Sequence, residues 1–351
     1  MLRALAALAV VVGHSVQQGF GEAIAPSLFG RLAWWLGQWG VTLFFVLSGF
    51  CIHLPHARRL VADAEAGVDW RRFLRRRAFR LLPPHYVSMA VAAVAGCFIQ
   101  TNLIGAPTLR NVAAHVFMLH TFFGPAMYYS INGVFWSIAI EVHFYMAYPL
   151  YLGMRQLVGT FVVPAVLLAV GLLIYGVSRF AFEGDARFVV QHLFLVTWWQ
   201  WGLGVLLADL HARGSSWLSP AFRFPGALGL YSVISLVLAW TDVTVLRLHV
   251  NAWVLPLVCF FLLGASISRE RIRIRFLEHL GTASYSLYLI HPVALASLVV
   301  LRGRLSDAGM AILCIVASVI FALAFFQFVE RHFIPRRTNS AAPQRATGPV
   351  S

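Results

Sequence analysis

Arg3 and His14 are the first residues in the chain whose types and spacing could support chemistry. They are eleven residues apart in a run that is otherwise apolar. Eleven residues of α-helix return to within about 20° of the starting direction and advance about 16 Å along the axis. The two side chains would therefore share one helix face, with the cation near a bilayer surface and the imidazole near its middle. An ionisable side chain at that depth indicates a functional site.

Glu141 is the acidic residue that lies deepest in an apolar run, and Ser137 and Tyr145 lie four residues to either side of it. That spacing places the three side chains on one stripe of a helix. A carboxylate in such a position must be protonated, paired or turned to a polar cavity. If the helix begins at the outer membrane surface, Glu141 lies about 12 Å deep, near the depth of His14. We therefore expect the two side chains to meet if their helices are neighbours.

His291 is a third candidate, in the segment 284–292. On a helix that starts at the inner surface it also lies about 12 Å deep, and Pro292 frees a backbone carbonyl beside it. For His14, Glu141 and His291 alike, the alternative is a polar side chain that only fixes helix packing.

A cluster of arginines between Phe73 and Pro83 could bind phosphate. Arg77 and Arg80 are three residues apart at the start of an apolar run, and Arg76 stands beside them. Guanidinium groups at this spacing form a forked cationic site suited to phosphate oxygens. A phosphorylated cytosolic cofactor is the natural ligand, and the alternative is a charge cluster that only sets membrane topology.

Two close histidine pairs raise the question of a metal. No thiolates or clustered acids accompany these pairs in the sequence, so we expect no metal ion. They are His53 with His56, and His115 with His120. The four cysteines lie in apolar runs without paired spacing, and we interpret them as buried and unpaired. They are Cys51, Cys97, Cys259 and Cys314.

The composition requires that these residues be positioned by membrane helices. Of 351 residues, 60% are hydrophobic and 11% are charged, whereas about 25% are charged in a soluble domain. The net charge of +14 comes from 27 arginines that alternate with apolar runs. This pattern indicates membrane topology and no nucleic-acid partner. We expect an all-α polytopic membrane protein whose surroundings are the lipid bilayer.

Ten apolar runs are long enough to cross a bilayer, so we predict about ten transmembrane helices. The interrupted stretch 108–124 is interpreted as a segment along the membrane surface. The ten runs are 2–20, 33–54, 81–104, 134–155, 161–182, 188–211, 225–241, 248–267, 283–301 and 309–333.

The arginines also predict the orientation. Ten helices put both termini on one side, and that side carries twenty of the 27 arginines. The positive-inside rule makes it the cytoplasm, which predicts a multi-pass protein of the cell (inner) membrane with both termini cytoplasmic. Residues 336–351, rich in Thr, Ala, Pro, Ser and Arg, are expected to form a disordered cytoplasmic tail. Residues 1–335 are then one transmembrane domain.

Five motifs of the chain resemble those of one family, the integral-membrane acyltransferases of the acyltransferase 3 type. They follow the family's order and extend over about residues 3–330. They are Arg3 with His14, which match its Arg-x10-His signature, then 40–50, 76–83, 136–145 with Ser137 and Glu141, and 284–291 with His291.

The resemblance implies that cytosolic acyl-CoA donates an acyl group, acetyl or another short one, to a hydroxyl of a glycan, glycolipid or secondary metabolite. O-acetylation of a cell-envelope polysaccharide would be one example. His14 would be the general base on the acceptor hydroxyl, or would carry the acyl group transiently. Glu141 would orient or charge-balance His14, or bind the acceptor. Arg77 and Arg80, supported by Arg76, would hold the CoA phosphates, Arg3 would line the path of the pantetheine arm, and Ser137, Tyr145 and His291 would complete the pocket.

Three features depart from what the family commonly carries. Members usually have more residues before the first arginine, so we expect a natural start upstream of Met1. Many have a second acid after the conserved glutamate, where this chain has Val142, so Glu141 is expected to act without it. No esterase-like domain follows the last predicted helix, so we expect any such partner to be a separate protein.

Two other classes of function are also compatible with these residues. A proton-coupled transporter or flippase would use the mid-membrane histidine and glutamate as a proton relay. A receptor or scaffold would leave these ionisable residues unexplained. Release of CoA from acyl-CoA by the purified protein distinguishes the acyltransferase from both.

Overall fold

In a computed structural model, the chain forms a bundle of α-helices. The structure describes residues 1–215 apart from 22, 23, 25, 26 and 64, and residues 244–268 and 274–334. Within these ranges there is no β-strand, only an isolated bridge between Ile104 and Asn132. The helices are α1 (Leu2–Phe20), α2 (Leu28–Ala62), α3 (Trp70–Phe98), α4 (Leu109–Val116), α5 (Pro125–Tyr128), α6 (Phe135–Val158), α7 (Val162–Ala181), α8 (Gly184–Gln191), α9 (Phe194–Ala212), α10 (Thr244–Ser268), α11 (Arg275–Thr282), α12 (Ser284–Ser297) and α13 (Asp307–Phe328).

The all-α class is confirmed for the part of the chain that the structure describes, whereas the number of membrane spans is not. Helices occupy nine of the ten predicted runs. The run 225–241 and the predicted tail 336–351 lie outside the described residues. Among the described helices, six are long and apolar enough to cross a membrane, and α1 and α6 are not among them. Two of the four free cysteines, Cys51 and Cys97, are exposed and not buried as predicted.

Helix α1 lies between α2, α11, α12 and α13 and is therefore surrounded by other helices. Small residues allow this close approach. A Cβ at Gly13 would lie 2.7 Å from the carbonyl oxygen of Ala33, and a Cβ at Gly40 would overlap that of Ala6. Such backbone contact is typical of helix pairs in membranes. There the hydrophobic effect does not drive association, and small residues allow the close packing that does. Three polar side chains on α1 line cavities of the bundle, those of Arg3, His14 and Gln17.

Helices α2 and α9 approach each other even more closely. A Cβ on Gly49 of α2 would overlap the carbonyl oxygen of Trp201, and a Cβ on Gly204 of α9 would overlap that of Val46. The two helices also share a buried ionic cluster, the Asp209 cluster. Asp209 accepts hydrogen bonds from Arg155 at 2.8 and 3.0 Å, from the His53 ring at 3.0 Å and from the Thr160 hydroxyl.

Helix α6 begins in the interior of the bundle and not at its surface. The ring of Phe135, its first residue, lies 4.5 Å from that of His85 between centroids. His85 is thirteen residues before the end of α3 at Phe98, which is about 20 Å along the helix axis. The expectation that this helix starts at the membrane surface is therefore wrong. Every residue on α6, Glu141 included, lies closer to the start of α3 than the sequence indicated.

Residues 99–134 fold back along α3 and occupy the space above α6. The hydroxyl of Tyr86 donates to the carbonyl of Val116 at 2.9 Å, and the side chains of His115 and His120 are fully buried. The interpretation of 108–124 as a segment along the membrane surface is therefore wrong. The segment is half apolar because it packs against protein on one side, while Leu109 is largely exposed on the other.

Candidate active site

One end of the bundle, which we call the arginine end, contains a cavity between α1, α2, α3, α6 and α12. It encloses about 820 Å³ of empty space, part of it open to the outside. Six of the residues singled out from the sequence line it together: Arg3, Arg77, Arg80, Ser137, Glu141 and Tyr145. The structure thus brings three cations and the deepest acid of the sequence to one cavity, which we call the donor cavity after the role that we propose for it below.

Glu141 is held in this cavity by two hydroxyl groups. The hydroxyl of Ser48 donates to its Oε1 at 2.7 Å, and the hydroxyl of Tyr145, one turn further along α6, donates to the same oxygen. No ion pair of Glu141 is found among the described residues. The second carboxylate oxygen has no hydrogen-bond partner in that part of the chain, so it is available to a ligand.

Arg80 is positioned by an acid that sequence reasoning missed. Glu330 follows α13 in a 3₁₀ turn, is 1% exposed, and has an oxygen 4.0 Å from the Arg80 guanidinium. Its other oxygen accepts from the backbone N–H of Ser286 at 3.0 Å and from the hydroxyl at 2.5 Å. Burial raises the pKa of the Glu330 carboxyl, and the bonds from Ser286 and the Arg80 charge oppose this rise. An acid directly after an apolar run was the available signal.

A second cavity lies toward the other end of the bundle, and we call it the acceptor cavity, again after the role that we propose for it below. It encloses about 970 Å³ of empty space, part of it open. Amide and aromatic side chains line it with His14: Gln17, Gln38, Asn102, Tyr129 and Trp136. Neutral hydrogen-bonding groups among aromatic rings suit a hydroxylated ligand. The two cavities share Val41 and Tyr288 in their linings, so only a thin wall of side chains separates them.

His14 is paired with His291 across α1 and α12. The Nδ1 atom of His14 lies 2.9 Å from Nε2 of His291, and the two ring planes are 12° apart with centroids 5.2 Å apart. The Nδ1 atom of His291 lies 3.0 Å from the carbonyl oxygen of Leu287 and 2.9 Å from that of Tyr288. His291 is fully buried and lines neither cavity.

These contacts determine which nitrogen of each neutral ring carries the proton. A backbone carbonyl only accepts hydrogen bonds, so Nδ1 of His291 must be the donor. The Nε2 atom of a neutral His291 is then an acceptor, and the Nδ1–H group of His14 donates to it. The lone pair of His14 is consequently on Nε2, which has no partner among the described residues. A ring nitrogen held in this form can remove a proton from a hydroxyl group.

His14 and Glu141 are not brought together. No hydrogen bond or ion pair joins them in the described structure, and they line different cavities. The reason is the start of α6 in the interior of the bundle. Glu141 therefore lies nearer the arginine end than its position in the sequence indicates. It lines the same cavity as Arg77 and not the cavity that contains His14.

Arg76 lies in a third cavity, a groove between the end of α2 and the start of α3. We call it the arginine groove. It encloses about 930 Å³ of empty space, part of it open. Arg77 and Ile52 line both the groove and the donor cavity, so the two spaces adjoin.

The histidine pairs considered for a metal take part in other contacts. The rings of His115 and His120 stack with centroids 3.8 Å apart. Burial lowers the pKa of His115 to about 4 and that of His120 to about 2, so both rings are neutral packing groups. His53 belongs to the Asp209 cluster. In the described part of the chain no three His, Cys, Asp or Glu side chains are grouped as metal ligands would be.

Comparison with known proteins shows the family of the chain. The family model of acyltransferase 3, described as an acyltransferase domain, matches residues 1–327, a range that includes both cavities. Over 154 residues, the chain is 28% identical to a protein named acyltransferase MdmB from Streptomyces mycarofaciens. The match covers 43% of this chain and 37% of the length of that relative. No solved structure matches the chain.

Proposed function

Because the chain belongs to the acyltransferase 3 family, we propose that this membrane acyltransferase moves a short acyl group, such as acetyl, from acyl-CoA to a hydroxyl. The acceptor would be a glycan, a glycolipid or a secondary metabolite. The observation that carries this proposal is the pairing of His14 with His291, which leaves a lone pair on His14 beside the acceptor cavity. That lone pair is what the acceptor hydroxyl needs in order to attack a thioester.

In the proposed reaction, Nε2 of His14 takes the proton of the acceptor hydroxyl as its oxygen attacks the thioester carbonyl carbon. The tetrahedral intermediate collapses, the carbon–sulfur bond breaks, and the new ester is formed. The CoA thiolate takes the proton back from His14. The Nδ1–H group of His14 keeps its bond to His291 throughout, so the imidazolium formed midway stays oriented.

The donor cavity supports the other half of the proposal. Arg3, Arg77 and Arg80 provide cations for a phosphorylated donor, and the free oxygen of Glu141 can accept from an amide N–H of the pantetheine arm. Glu141 is therefore proposed to bind the donor, and not to act on His14. The thioester reaches His14 where the cavities adjoin, at Val41 and Tyr288.

A transient acyl-His14 uses the same lone pair and stays an alternative route. In that route Nε2 attacks the thioester first and CoA leaves as the thiolate. The acceptor hydroxyl then attacks the acyl-imidazole, the carbon–nitrogen bond breaks, and Nε2 takes the hydroxyl proton. Rapid quenching of a reaction with labelled acetyl-CoA and no acceptor distinguishes the two. Label on His14 supports the two-step route, and its absence supports direct transfer.

The rival proposal is a proton-coupled transporter or flippase. Two cavities that approach one another from opposite ends of the bundle, with a thin wall between them, are the observation in its favour. A transporter of this kind moves its ligand without consuming acyl-CoA. The absence of CoA release in the presence of envelope acceptors would favour it over acyl transfer.

The experiment measures CoA release by the purified protein from acetyl-CoA, with sugars and cell-envelope polysaccharide as acceptors. Mass spectrometry of envelope glycans and exported metabolites, with and without the gene, identifies the acceptor. His14→Ala and His14→Gln should each lower kcat by about 10²–10⁴-fold, because neither side chain takes a proton at neutral pH. Near-normal turnover in His14→Gln would remove His14 from the chemistry.

His291 is tested in the same assay as a positioning residue. His291→Ala should lower kcat and leave the KM for acetyl-CoA unchanged, because the His14 ring loses the acceptor that sets its protonated nitrogen. His291→Gln should restore part of kcat, because its amide oxygen accepts a hydrogen bond. His279→Ala, an exposed histidine on α11, is the matched control and should have no effect. Equal kcat in the alanine and glutamine variants would contradict the positioning role.

A further inference from the structure

The arginine groove is built by matched faces of two consecutive helices. On α2, Pro55 and Arg59 are four residues apart and point the same way. On α3, Asp69, Arg72 and Arg76 succeed one another at spacings of three and four, which also makes one face. All five line the groove. The neighbouring arginines Arg58, Arg71 and Arg75 of the same helices do not line it.

The groove is strongly cationic. Four guanidinium groups line it, those of Arg59, Arg72, Arg76 and Arg77, and Asp69 is the acid that faces them. Asp69 is engaged as the N-cap of α3, where its side chain accepts from the backbone N–H of Arg72 at 2.9 Å. In the described part of the chain no ion pair involves any of the four arginines. The start of α3 adds the positive end of a helix dipole at the same place.

The groove leads into the donor cavity. Arg77 and Ile52 line both spaces, and Arg77 lies over the ring of Phe73, 5.7 Å from its centroid. Along α2 and α3, Arg59 and Arg72 are the lining arginines furthest from that junction. A ligand with phosphates in the groove could therefore extend an arm past Arg77 toward Glu141.

We propose that the arginine groove binds the phosphorylated adenosine of acyl-CoA, with Arg59 and Arg72 on the 3′-phosphate and Arg76 and Arg77 on the pyrophosphate. This proposal rests on the proposed function and extends it to two residues outside the donor cavity. The pyrophosphate is assigned to Arg76 and Arg77 because it carries the pantetheine arm. It must therefore lie nearest the place where the groove meets the donor cavity. Forked guanidinium groups suit both phosphate types.

An anionic lipid headgroup offers the same phosphate chemistry at the surface of a bilayer. The experiment must therefore separate the two sources. Acetyl-CoA and acetyl-dephospho-CoA differ only by the 3′-phosphate, so the ratio of their affinities isolates that group. Binding is measured in nanodiscs of phosphatidylcholine, which carry no net charge, and again with phosphatidylglycerol included.

The unmodified protein should bind acetyl-CoA more tightly than acetyl-dephospho-CoA. Arg59→Ala and Arg72→Ala should each weaken acetyl-CoA binding by about ten- to a hundredfold and leave acetyl-dephospho-CoA binding nearly unchanged. Arg58→Ala and Arg71→Ala remove the same charge from the neighbouring positions and should keep the preference for the 3′-phosphate. Arg59→Lys and Arg72→Lys preserve the charge without the fork and should give intermediate losses.

Two results would overturn the groove proposal. One is that the Arg59 and Arg72 variants still bind acetyl-CoA and keep the unmodified protein's ratio of affinities for acetyl-CoA and acetyl-dephospho-CoA. The other is a change in the variants that appears only with phosphatidylglycerol, which would assign the groove to lipid. Failure of the unmodified protein to bind acetyl-CoA at all is a different outcome, because it overturns the proposed function itself.

Discussion

Glu330 connects two parts of the candidate site that are distant in the sequence. Its carboxylate accepts two hydrogen bonds from Ser286, in the first turn of α12, and lies beside Arg80 of α3. Helix α12 also carries Tyr288 and His291. Glu330 therefore has two structural roles. It orients Arg80 in the donor cavity, and it caps α12, the helix that carries His291.

Glu330→Gln tests the first role alone. The amide oxygen still accepts from Ser286, so α12 keeps its cap, but the negative charge beside Arg80 is lost. We expect the KM for acetyl-CoA to rise several-fold, with kcat and the thermal midpoint of unfolding little changed, because Arg80 is no longer held toward the cavity. Glu278→Gln, an exposed acid on α11, serves as the control. An unchanged KM would show that Arg80 is positioned without Glu330.

At the level of residues, the spacing of side chains along one segment predicts which of them share a helix face, but not which side chains of other helices they contact. The four-residue spacing of Ser137, Glu141 and Tyr145 does bring them to one cavity, because a single helix carries all three. The partners Ser48, Tyr288 and Glu330 come from other helices and have no regular spacing to the residues they contact. Such contacts depend on how helices pack, which no periodicity in one segment records.

At the level of helices, the lengths of the apolar runs predict where each helix lies in the sequence, but not how deep in the bundle it begins. Hydrophobic runs indicate that a segment avoids water, whether it faces lipid or protein. Residues 99–134 cover the beginning of α6, so this helix stays apolar without reaching the surface. The depth of Glu141 was therefore misjudged, although the helix that carries it was predicted within a few residues.

The close crossing of α2 and α9 gives a prediction of its own. Gly204→Ala would place a methyl group against the backbone of α2, and such overpacking costs about 1–3 kcal/mol. Gly176→Ala on α7 would meet no atom within 4 Å and should stabilise its helix by up to about 1 kcal/mol. Thermal unfolding in detergent should show opposite shifts for the two variants. A shift of the same sign in both would argue against backbone contact at Gly204.

The orientation of the whole molecule remains a prediction from its arginines. We propose that both termini are in the cytoplasm of a cell with an inner membrane, so that the arginine end faces the compartment that holds acyl-CoA. A reporter fused after residue 335 should then be active only in the cytoplasm. Activity outside would contradict ten helices with this orientation and would separate the arginine groove from cytosolic acyl-CoA. A fusion between α12 and α13, after Arg304, is the matched control, and it should be active only outside.

The wall formed by Val41 and Tyr288 between the two cavities has an electrical consequence for the proposed reaction. Carrying an elementary charge across a membrane involves about 2.3 kcal/mol per 100 mV. CoA keeps its anionic phosphates at the arginine end, while the acyl group passes the wall in one direction and the proton of the acceptor hydroxyl passes it in the other, so no net charge crosses. The membrane potential would therefore neither drive nor oppose the overall transfer, and its equilibrium would be the same in an energised and a depolarised cell.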